Sequence, residues 1–185
     1  MDTKHDRAFS RPSRHRGVTL IEMAIVIVVT AVVASLATPS MRELIDSRRL
    51  LGAANQLAAD VQLARTEAVS RNRGIRLSFH AATGSSCYVI HTGTAAQCSC
   101  ADDGPAVCTG GAHEIKSVVI AASDRVTVGA NVASILFDPL HGTSTPSGTL
   151  RVADVRGRAV HHVVNVVGRI RSCSPGAAVA GFRAC

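Results

Sequence analysis

Aromatic side chains are scarce in this 185-residue chain. It contains no tryptophan, one tyrosine and four phenylalanines. Proteins that bind single-stranded nucleic acid by base stacking interleave aromatic residues with basic ones, so this mode of binding is disfavoured. The scarcity also indicates a modest core of valine, alanine and other small aliphatic residues. A chain of this length has room for about one globular domain.

Motifs of common enzymes and cofactor sites are also missing. The sequence has no G-x-S-x-G, no H-E-x-x-H, no phosphate-binding loop and no dinucleotide fingerprint. It has no C-x-x-C pair either, which disfavours thiol redox chemistry. We therefore predict that the protein is not an enzyme and needs no cofactor.

Positive charge is concentrated at the N-terminus. The formal net charge is +7, and residues 1–17 contribute five cations against two acidic residues. The rest of the chain is therefore only mildly basic. Its charge by itself gives little indication of nucleic-acid binding.

The six cysteines all follow an apolar run that ends near residue 38. They are Cys87, Cys98, Cys100, Cys108, Cys173 and Cys185. An even number of cysteines favours disulfides in an oxidising compartment, and the sequence allows 15 pairings of six cysteines. The alternative is a zinc site built from the first four, but zinc ligands are usually spaced C-x₂₋₄-C, whereas one residue separates Cys98 from Cys100. We expect no metal, and we favour pairing Cys173 with Cys185 because that bond would hold the chain end.

Residues 18–38 form an apolar run in which Glu22 is the only formal charge. Its 21 residues are enough, at ~1.5 Å per helical residue, to cross a hydrocarbon layer of ~30 Å. The basic residues before it predict a cytoplasmic N-terminus with the body outside. A secretory signal peptide fits less well because the apolar segment exceeds the usual ~7–15 residues. A plain signal anchor would not need Glu22, whose burial in a bilayer costs about 2.5–3.5 kcal/mol.

The segment "RGVTLIE" resembles the class III signal of type IV pilins and type II secretion pseudopilins. In that family a basic leader ends in glycine, and an apolar helix follows with glutamate at its fifth position. The resemblance implies that a prepilin peptidase removes the leader at 1–17 by cutting between Gly17 and Val18, and then methylates the amine of Val18. The carboxylate of Glu22 can pair with the α-amino group of a neighbouring subunit inside an apolar helix bundle. The alternative for Glu22 is a tolerated charge near the membrane edge.

The sequence predicts that the helix continues beyond the apolar run. Pro39 lies where pilins commonly carry a kinking proline, so a bend or local melting is expected there. After this transmembrane and assembly half at 18–40, an amphipathic half at 41–74 is predicted from apolar residues at three- and four-residue steps. These are Met41, Leu44, Ile45, Leu51, Ala54, Leu57, Val61, Ala64 and Ala68, while Arg42, Asp46, Arg49, Asp60, Arg65 and Arg71 take other faces. Gly74 is the expected left-handed cap.

Alternating apolar residues after Gly74 predict a β-rich periplasmic domain at 75–185. The candidate strands are 75–80, 87–91, 115–121, 125–128, 134–138, 149–153, 159–166 and 168–172. Residues 92–112 and 139–148 are predicted loops. The fold class is therefore α+β, a pilin-like fold with a long N-terminal α-helix packed on an antiparallel β-sheet.

The C-terminal part carries a second resemblance. The segments "ILFDPLHGTSTPSGTLRV" and "HHVVNVVGRIRSCSP" resemble the GspH/FimT group of minor pilins and pseudopilins. The stretch GRIR also resembles the Gly-Arg-x-Arg stretch that contributes to DNA contact in DNA-uptake members of that group. Arg169 and Arg171 would then hold successive phosphates on one face of a strand, and Arg151, Arg156 and Arg158 would widen the patch if their strands are neighbours. The alternative is an edge strand kept soluble by exposed arginines.

Two consecutive histidines precede this stretch. His161 and His162 point to opposite faces of a strand, so they cannot easily chelate one metal ion together. We expect one to be packed in the core and the other to be solvated.

The resemblances imply a minor pilin or pseudopilin that assembles into, or primes the tip of, a type IV pilus or a type II secretion pseudopilus. The alternative function is a DNA-binding minor pilin that uses the arginine patch for DNA uptake. Expected partners are other pilins, the prepilin peptidase, an inner-membrane assembly platform and possible extracellular DNA. The expected location is the bacterial inner membrane as a single-pass protein with a periplasmic C-terminal domain, and the pilus or pseudopilus after assembly.

Overall fold

The computed structural model describes residues 17–82, 85–101 and 106–185; for residues 36–40 and 82 it describes the backbone alone. Residues 1–16, which are all but the last residue of the predicted leader at 1–17, and residues 83–84 and 102–105 lie outside the described residues. The chain divides into two units, residues 1–42 and residues 43–185. One helix, α1 (Leu20–Ser70), contributes residues to both. Each unit is described by itself.

The N-terminal unit consists of the first part of α1. Thr19 is its N-cap, because its side-chain oxygen Oγ1 accepts a hydrogen bond from the backbone N–H of Glu22 at 3.3 Å. Its carbonyl accepts the first helical bond, from the N–H of Met23. Glu22 therefore occupies the first turn, where a negative charge is favoured by the helix dipole.

The helical part of the second unit buries one stripe of small and aliphatic residues. The predicted stripe is correct from Ala54 onward, and Leu50, which the prediction omitted, is also fully buried. Leu44 and Ile45 are exposed, so their predicted core positions are wrong. The stripe begins later because the β body covers α1 only from about the turn containing Asp46, which is itself buried.

The helix ends at Ser70 in a Schellman motif. The N–H of Arg73 donates to the carbonyl of Ala68 at 3.1 Å, and the N–H of Asn72 donates to the carbonyl of Val69 at 3.3 Å. Asn72 has φ 47° and takes the left-handed position that the sequence assigned to Gly74. Asparagine tolerates this conformation because its short polar side chain bonds locally.

Strands of the β body form two main antiparallel sheets. The five-stranded sheet has the order β5 (Glu114–Ala121), β2 (Ser85–Thr92), β1 (Ile75–Ala82), β7 (Ser134–Phe137) and β8 (Ser144–Thr145). The four-stranded sheet has the order β11 (Ile170–Cys173), β10 (Ala159–Val164), β9 (Gly148–Asp154) and β6 (Val126–Ala130). All eight predicted strands are present, and each begins within two residues of its predicted start. The predicted α+β class is therefore confirmed.

The common core lies between the helix stripe and both sheets. Leu57, Val61, Leu77, Ile90 and Leu150 are fully buried members of this cluster. Two carboxylates of α1 that the sequence placed on other faces, Asp46 and Asp60, are also buried. That prediction is wrong because each has a cationic partner on the β body, Arg125 for Asp46 and Lys116 for Asp60.

Two cystines hold the segment between β2 and β5. Its described residues contain a two-residue ladder of β3 (Cys98–Ser99) and β4 (Val107–Cys108), which the sequence had assigned to a loop. Cys98 pairs with Cys108 across this ladder, and Cys100 pairs with Cys87 of β2. The third disulfide joins Cys173 to Cys185. The four cysteines considered as zinc ligands are thus all consumed in disulfides.

Candidate functional site

The first candidate site is the start of α1. Gly17 and Val18 precede the helix and are exposed, so the junction between them is accessible. The carboxylate-bearing residue Glu22 is one turn into the helix, and Thr19 caps that turn. Sequence reasoning missed Thr19, although a threonine three residues before a glutamate at a helix start is a recognised capping pattern.

The surface of this helical segment is apolar and uncovered. Every residue from 17 to 35 is exposed, including Leu20 at 89% and Ile21 at 69%. The hydroxyl of Thr30 donates to the carbonyls of Val26 and Ile27, and the hydroxyl of Ser35 donates to that of Val32. Such back-bonding satisfies polar groups without water. A continuous apolar surface of this kind marks a site of contact with other apolar groups.

Within the described part of the chain, no helix combines the length and the hydropathy expected of a segment that crosses a membrane. The helical backbone continues through residue 39, so the local melting predicted at Pro39 is not observed. A proline inside a helix removes one N–H donor and need not end the helix.

The second candidate site is the outer face of the four-stranded sheet. Arg171 of β11 lies opposite Val163 of β10, and His161 of β10 lies opposite Arg151 of β9. Directly opposed residues share a face, which places Arg151, His161 and Arg171 on one side of the sheet. Two strand spacings and a two-residue offset separate Arg151 from Arg171 by roughly 12 Å. Arg151 and His161 also line a shallow groove of about 540 Å³.

Arg169 lies at the base of the hairpin loop, one residue before β11, and the predicted strand start at residue 168 is wrong. Residues 166–168 form a three-residue hairpin loop closed by Asn165, whose Oδ1 accepts from the N–H of Arg169 at 2.9 Å. Gly168 supplies the positive φ of 74° that this loop needs. The glycine of the GRIR stretch is therefore required by the turn.

The β9–β10 connection has the same construction, with Asp154 in place of Asn165 and Gly157 at φ 83°. There the side chain of Arg158 is held by Asp154, with Nε and Oδ2 2.7 Å apart. Because asparagine carries no charge, Arg169 has no equivalent partner among the described residues. Arg169 and Arg171 are both exposed and keep their charges available to an anion.

Two arginines that the sequence added to this patch lie elsewhere. Arg156 and Arg158 belong to the β9–β10 turn, at the end of β10 opposite to the β10–β11 turn. Arg156 approaches Glu43 and Asp46 of α1, at 3.5 and 3.8 Å. The predicted extension therefore holds for Arg151 and is wrong for Arg156 and Arg158.

The two adjacent histidines have different environments, as predicted. His162 is buried, and its Nδ1 lies 2.8 Å from the hydroxyl of Ser172. Burial lowers the pKa of His162. His161 is half-buried on the outer face. His162 is thus a neutral core residue, and His161 belongs to the candidate binding face.

Comparison with known proteins adds structural and family matches. Two crystal structures of the type IV minor pilin FimU of Pseudomonas aeruginosa, in different space groups, are similar to this chain. One is 19% identical with a TM-score of 0.46, covering 68% of this chain and 96% of that one. The other is 20% identical with a TM-score of 0.48, covering 68% of this chain and 92% of that one. No curated protein matches.

Two protein families match the sequence directly. Residues 53–168, more than half of the chain, match the family described as type II transport protein GspH. Residues 12–38 match the prokaryotic N-terminal methylation motif. The second match contains Gly17, Val18 and Glu22, and the first contains most of the β body.

Proposed function

Because the chain belongs to the GspH family of type II transport proteins, we propose that it is cut between Gly17 and Val18 and polymerises through its N-terminal helix. Family membership makes it a minor pilin or pseudopilin of a type II secretion or type IV pilus system, a structural subunit and not an enzyme. It also implies assembly with other pilins and processing by a prepilin peptidase. The uncovered apolar surface of residues 18–35 is the observation that supports the proposed route of assembly.

Residues 18–38 hold the unassembled protein in the bacterial inner membrane, with the N-terminus in the cytoplasm and the β body in the periplasm. Two features of the chain support this topology. The basic residues precede the apolar segment, and the cystines all follow it. The satisfied hydroxyls of Thr30 and Ser35 are compatible with hydrocarbon. An inner-membrane assembly platform would extract the subunit from this position.

Glu22 provides the electrostatic contact of assembly. A carboxylate in hydrocarbon costs about 2.5–3.5 kcal/mol, and a neighbouring subunit's N-methylated Val18 amine would offset that cost. Thr19 supports the pairing because its cap holds the first turn, and therefore the position of Glu22. Pro39 marks the end of this assembly segment.

Mass spectrometry of assembled material tests the processing, with a methylated valine expected at the new N-terminus. In parallel, Glu22→Ala should abolish incorporation into the filament. Glu43→Ala is a matched control because Glu43 is an exposed carboxylate of the same helix that makes only a peripheral 3.5 Å contact with Arg156. Wild-type incorporation of Glu22→Ala, or a leader still attached in filaments, would contradict the proposal.

The role of this subunit in the secretion or pilus system is to prime the filament or to occupy its tip. A deletion strain tests this role by separating two readouts, protein secretion and surface piliation. Loss of one with retention of the other identifies the system that the subunit serves. Unchanged secretion and piliation would exclude a priming role in both.

A second function, binding of extracellular DNA, is supported by the exposed Arg169 and Arg171. Neither has a carboxylate partner among the described residues, and Arg151 and His161 extend the face that carries Arg171. Binding to phosphates alone would be sequence-independent and strongly salt-dependent. The variant Arg169→Ala/Arg171→Ala should lose DNA retention at low salt, whereas Arg48→Ala/Arg73→Ala, which removes two exposed arginines elsewhere, should not. Equal retention by both variants would remove this function.

A further inference from the structure

One end of the second unit carries exposed apolar side chains. This end lies near residue 43, where the part of α1 that belongs to the second unit begins. Residues 43–49 of α1 contact two turns there: Arg49 donates to the carbonyl of Ser123 at 3.1 Å, and Arg125 binds Asp46 at 3.1 and 3.3 Å. The N–H of Val155, in the β9–β10 turn, donates to the carbonyl of Arg125 at 3.2 Å. We name this surface, formed by residues 43–49, 122–125 and 155–156, the Val155 end.

Apolar groups of the Val155 end face solvent. Val155 is 59% exposed, Leu44 50% and Ile45 44%. Beside Val155 a groove of about 410 Å³ is lined mainly by apolar residues, among them Ile120, Ala122 and Val126. This end therefore presents exposed apolar side chains and a groove to its surroundings.

Two guanidinium groups, those of Arg125 and Arg156, belong to the same end. Arg125 and Arg156 are both about half exposed, while the carboxylate of Asp46 that they share is buried beneath them. The buried carboxylate fixes the two cations, and their outer N–H groups still point to solvent. Apolar side chains beside arginines are typical of surfaces that lie at the interface of a phospholipid membrane.

The sequence limits how far this end can lie from the apolar segment. Leu44 lies six positions after Thr38, the last residue of that segment. Their reach is ~9 Å as a helix and at most ~20 Å as an extended chain. The headgroup layer on each side of a bilayer is roughly 5–8 Å thick, so this distance reaches the lipid headgroups.

We propose that the Val155 end rests on the phospholipid headgroup layer while the subunit awaits assembly. Val155, Leu44 and Ile45 lie at the headgroup layer, and Arg125 and Arg156 contact lipid phosphates. The contact limits tilting of the body over the membrane. This inference rests on the proposed anchoring of residues 18–38 in the membrane.

The absence of tryptophan from the chain gives a direct test. Val155→Trp and Leu44→Trp each introduce a single tryptophan at this end, and Val166→Trp introduces one in the β10–β11 turn at the opposite end of β10. Val166 is a matched control because it is 61% exposed, close to the value for Val155. The full chain is placed in nanodiscs of phosphatidylethanolamine and phosphatidylglycerol, with and without lipids that carry a nitroxide at the headgroup.

The expected result is an about twofold loss of fluorescence for Val155→Trp and Leu44→Trp, and almost none for Val166→Trp, because only side chains at the interface lie close to a quencher in the headgroup layer. Co-elution with the nanodiscs reports anchoring separately. If the chain co-elutes and all three tryptophans are quenched equally or not at all, the headgroup contact is wrong and the anchoring stands. If the chain does not co-elute, both fail. Should one variant not fold, the other carries the comparison with Val166→Trp.

Discussion

Removal of Lys116 should destabilise the β body far more than removal of an exposed ion pair. Asp60 of α1 is 2% exposed, and its Oδ1 accepts from Nζ of Lys116 at 2.6 Å. Its Oδ2 accepts from the hydroxyl of Tyr88 at 2.7 Å and from the amide of Gln56 at 3.0 Å. Burial, reinforced by the hydrogen bond to Asp60 and its charge, raises the pKa of Tyr88, so the phenol remains a donor at all ordinary pH values.

Lys116→Met leaves the carboxylate of Asp60 buried without its cation. Loss of one partner of a buried pair costs about 3–5 kcal/mol. Lys116 is one-third exposed, and Tyr88 and Gln56 still donate to Asp60, so we expect a loss of about 2–3 kcal/mol in the free energy of unfolding. The double variant Asp60→Asn/Lys116→Met should recover part of this loss, because no uncompensated charge remains.

The assay is urea denaturation of the full chain in detergent micelles, followed by far-ultraviolet circular dichroism. Glu67→Gln is the matched control, since Glu67 and Arg71 form an exposed pair one turn apart on the same helix and should contribute only about 0.3–0.5 kcal/mol. If Lys116→Met and Glu67→Gln gave equal losses, Asp60 would not be the buried charge described above. If the double variant were as unstable as Lys116→Met, its cost would come from lost packing instead.

Three further predictions concern pH and backbone conformation. Burial lowers the pKa of His162 below that of the unfolded chain, so the unfolded state takes up the proton first and stability is lost as pH falls below about 6.5, by up to about 1.4 kcal/mol per pH unit. Thermal melting at pH 7.5 and 5.5 should show a smaller shift for His162→Gln than for wild type, and an equal shift would contradict the assignment. Asn72→Gly should preserve the melting temperature. Asn72→Ala should lower the unfolding free energy by about 1 kcal/mol, because alanine in the left-handed position lacks the short polar side chain through which asparagine tolerates that conformation. Equal values for the two variants would show that φ is not the determinant. Gly168→Ala should lower the melting temperature clearly more than Gly157→Ala. Both positions have positive φ, but a Cβ at 168 would lie 2.3 Å from the carbonyl oxygen of Gly142, whereas a Cβ at 157 would meet open space. Equal melting temperatures for the two alanine variants would refute that close approach.

Long, periodic segments were predictable because their signals are local. The helix stripe from Ala54 onward and the eight strands follow from the spacing of apolar residues. The short β3, β4 and β8 strands, of two residues each, were missed because no periodicity can be read from two residues. β3 and β4 are defined by their ladder pairing and by the Cys98–Cys108 disulfide. The pairing and the disulfide each join residues about ten positions apart.

Charged residues were the least predictable part. Asp46 and Asp60 are charged residues of the kind expected on a solvated helix face. Both are buried because each forms an ion pair with a cation of the β body. The same Gly-Arg pair occurs at 157–158 and at 168–169, and the sequence does not distinguish the two. In the structure Asp154 neutralises Arg158, whereas Asn165 carries no charge and leaves Arg169 uncompensated. That difference decides which arginines remain available for binding.

The sequence by itself determined the helix, the strand segments, and the N-terminal arrangement of basic residues, glycine and Glu22 that matches the methylation motif. Each depends on interactions and spacings among residues a few positions apart, which can be read from the sequence alone. Only the tertiary structure decided the order of the strands, the cystine pairs between β2 and β5, the burial of Asp46 and Asp60, and the common face of Arg151 and Arg171. Those features depend on contacts between residues that are distant along the chain, where register and burial set which charges are neutralised.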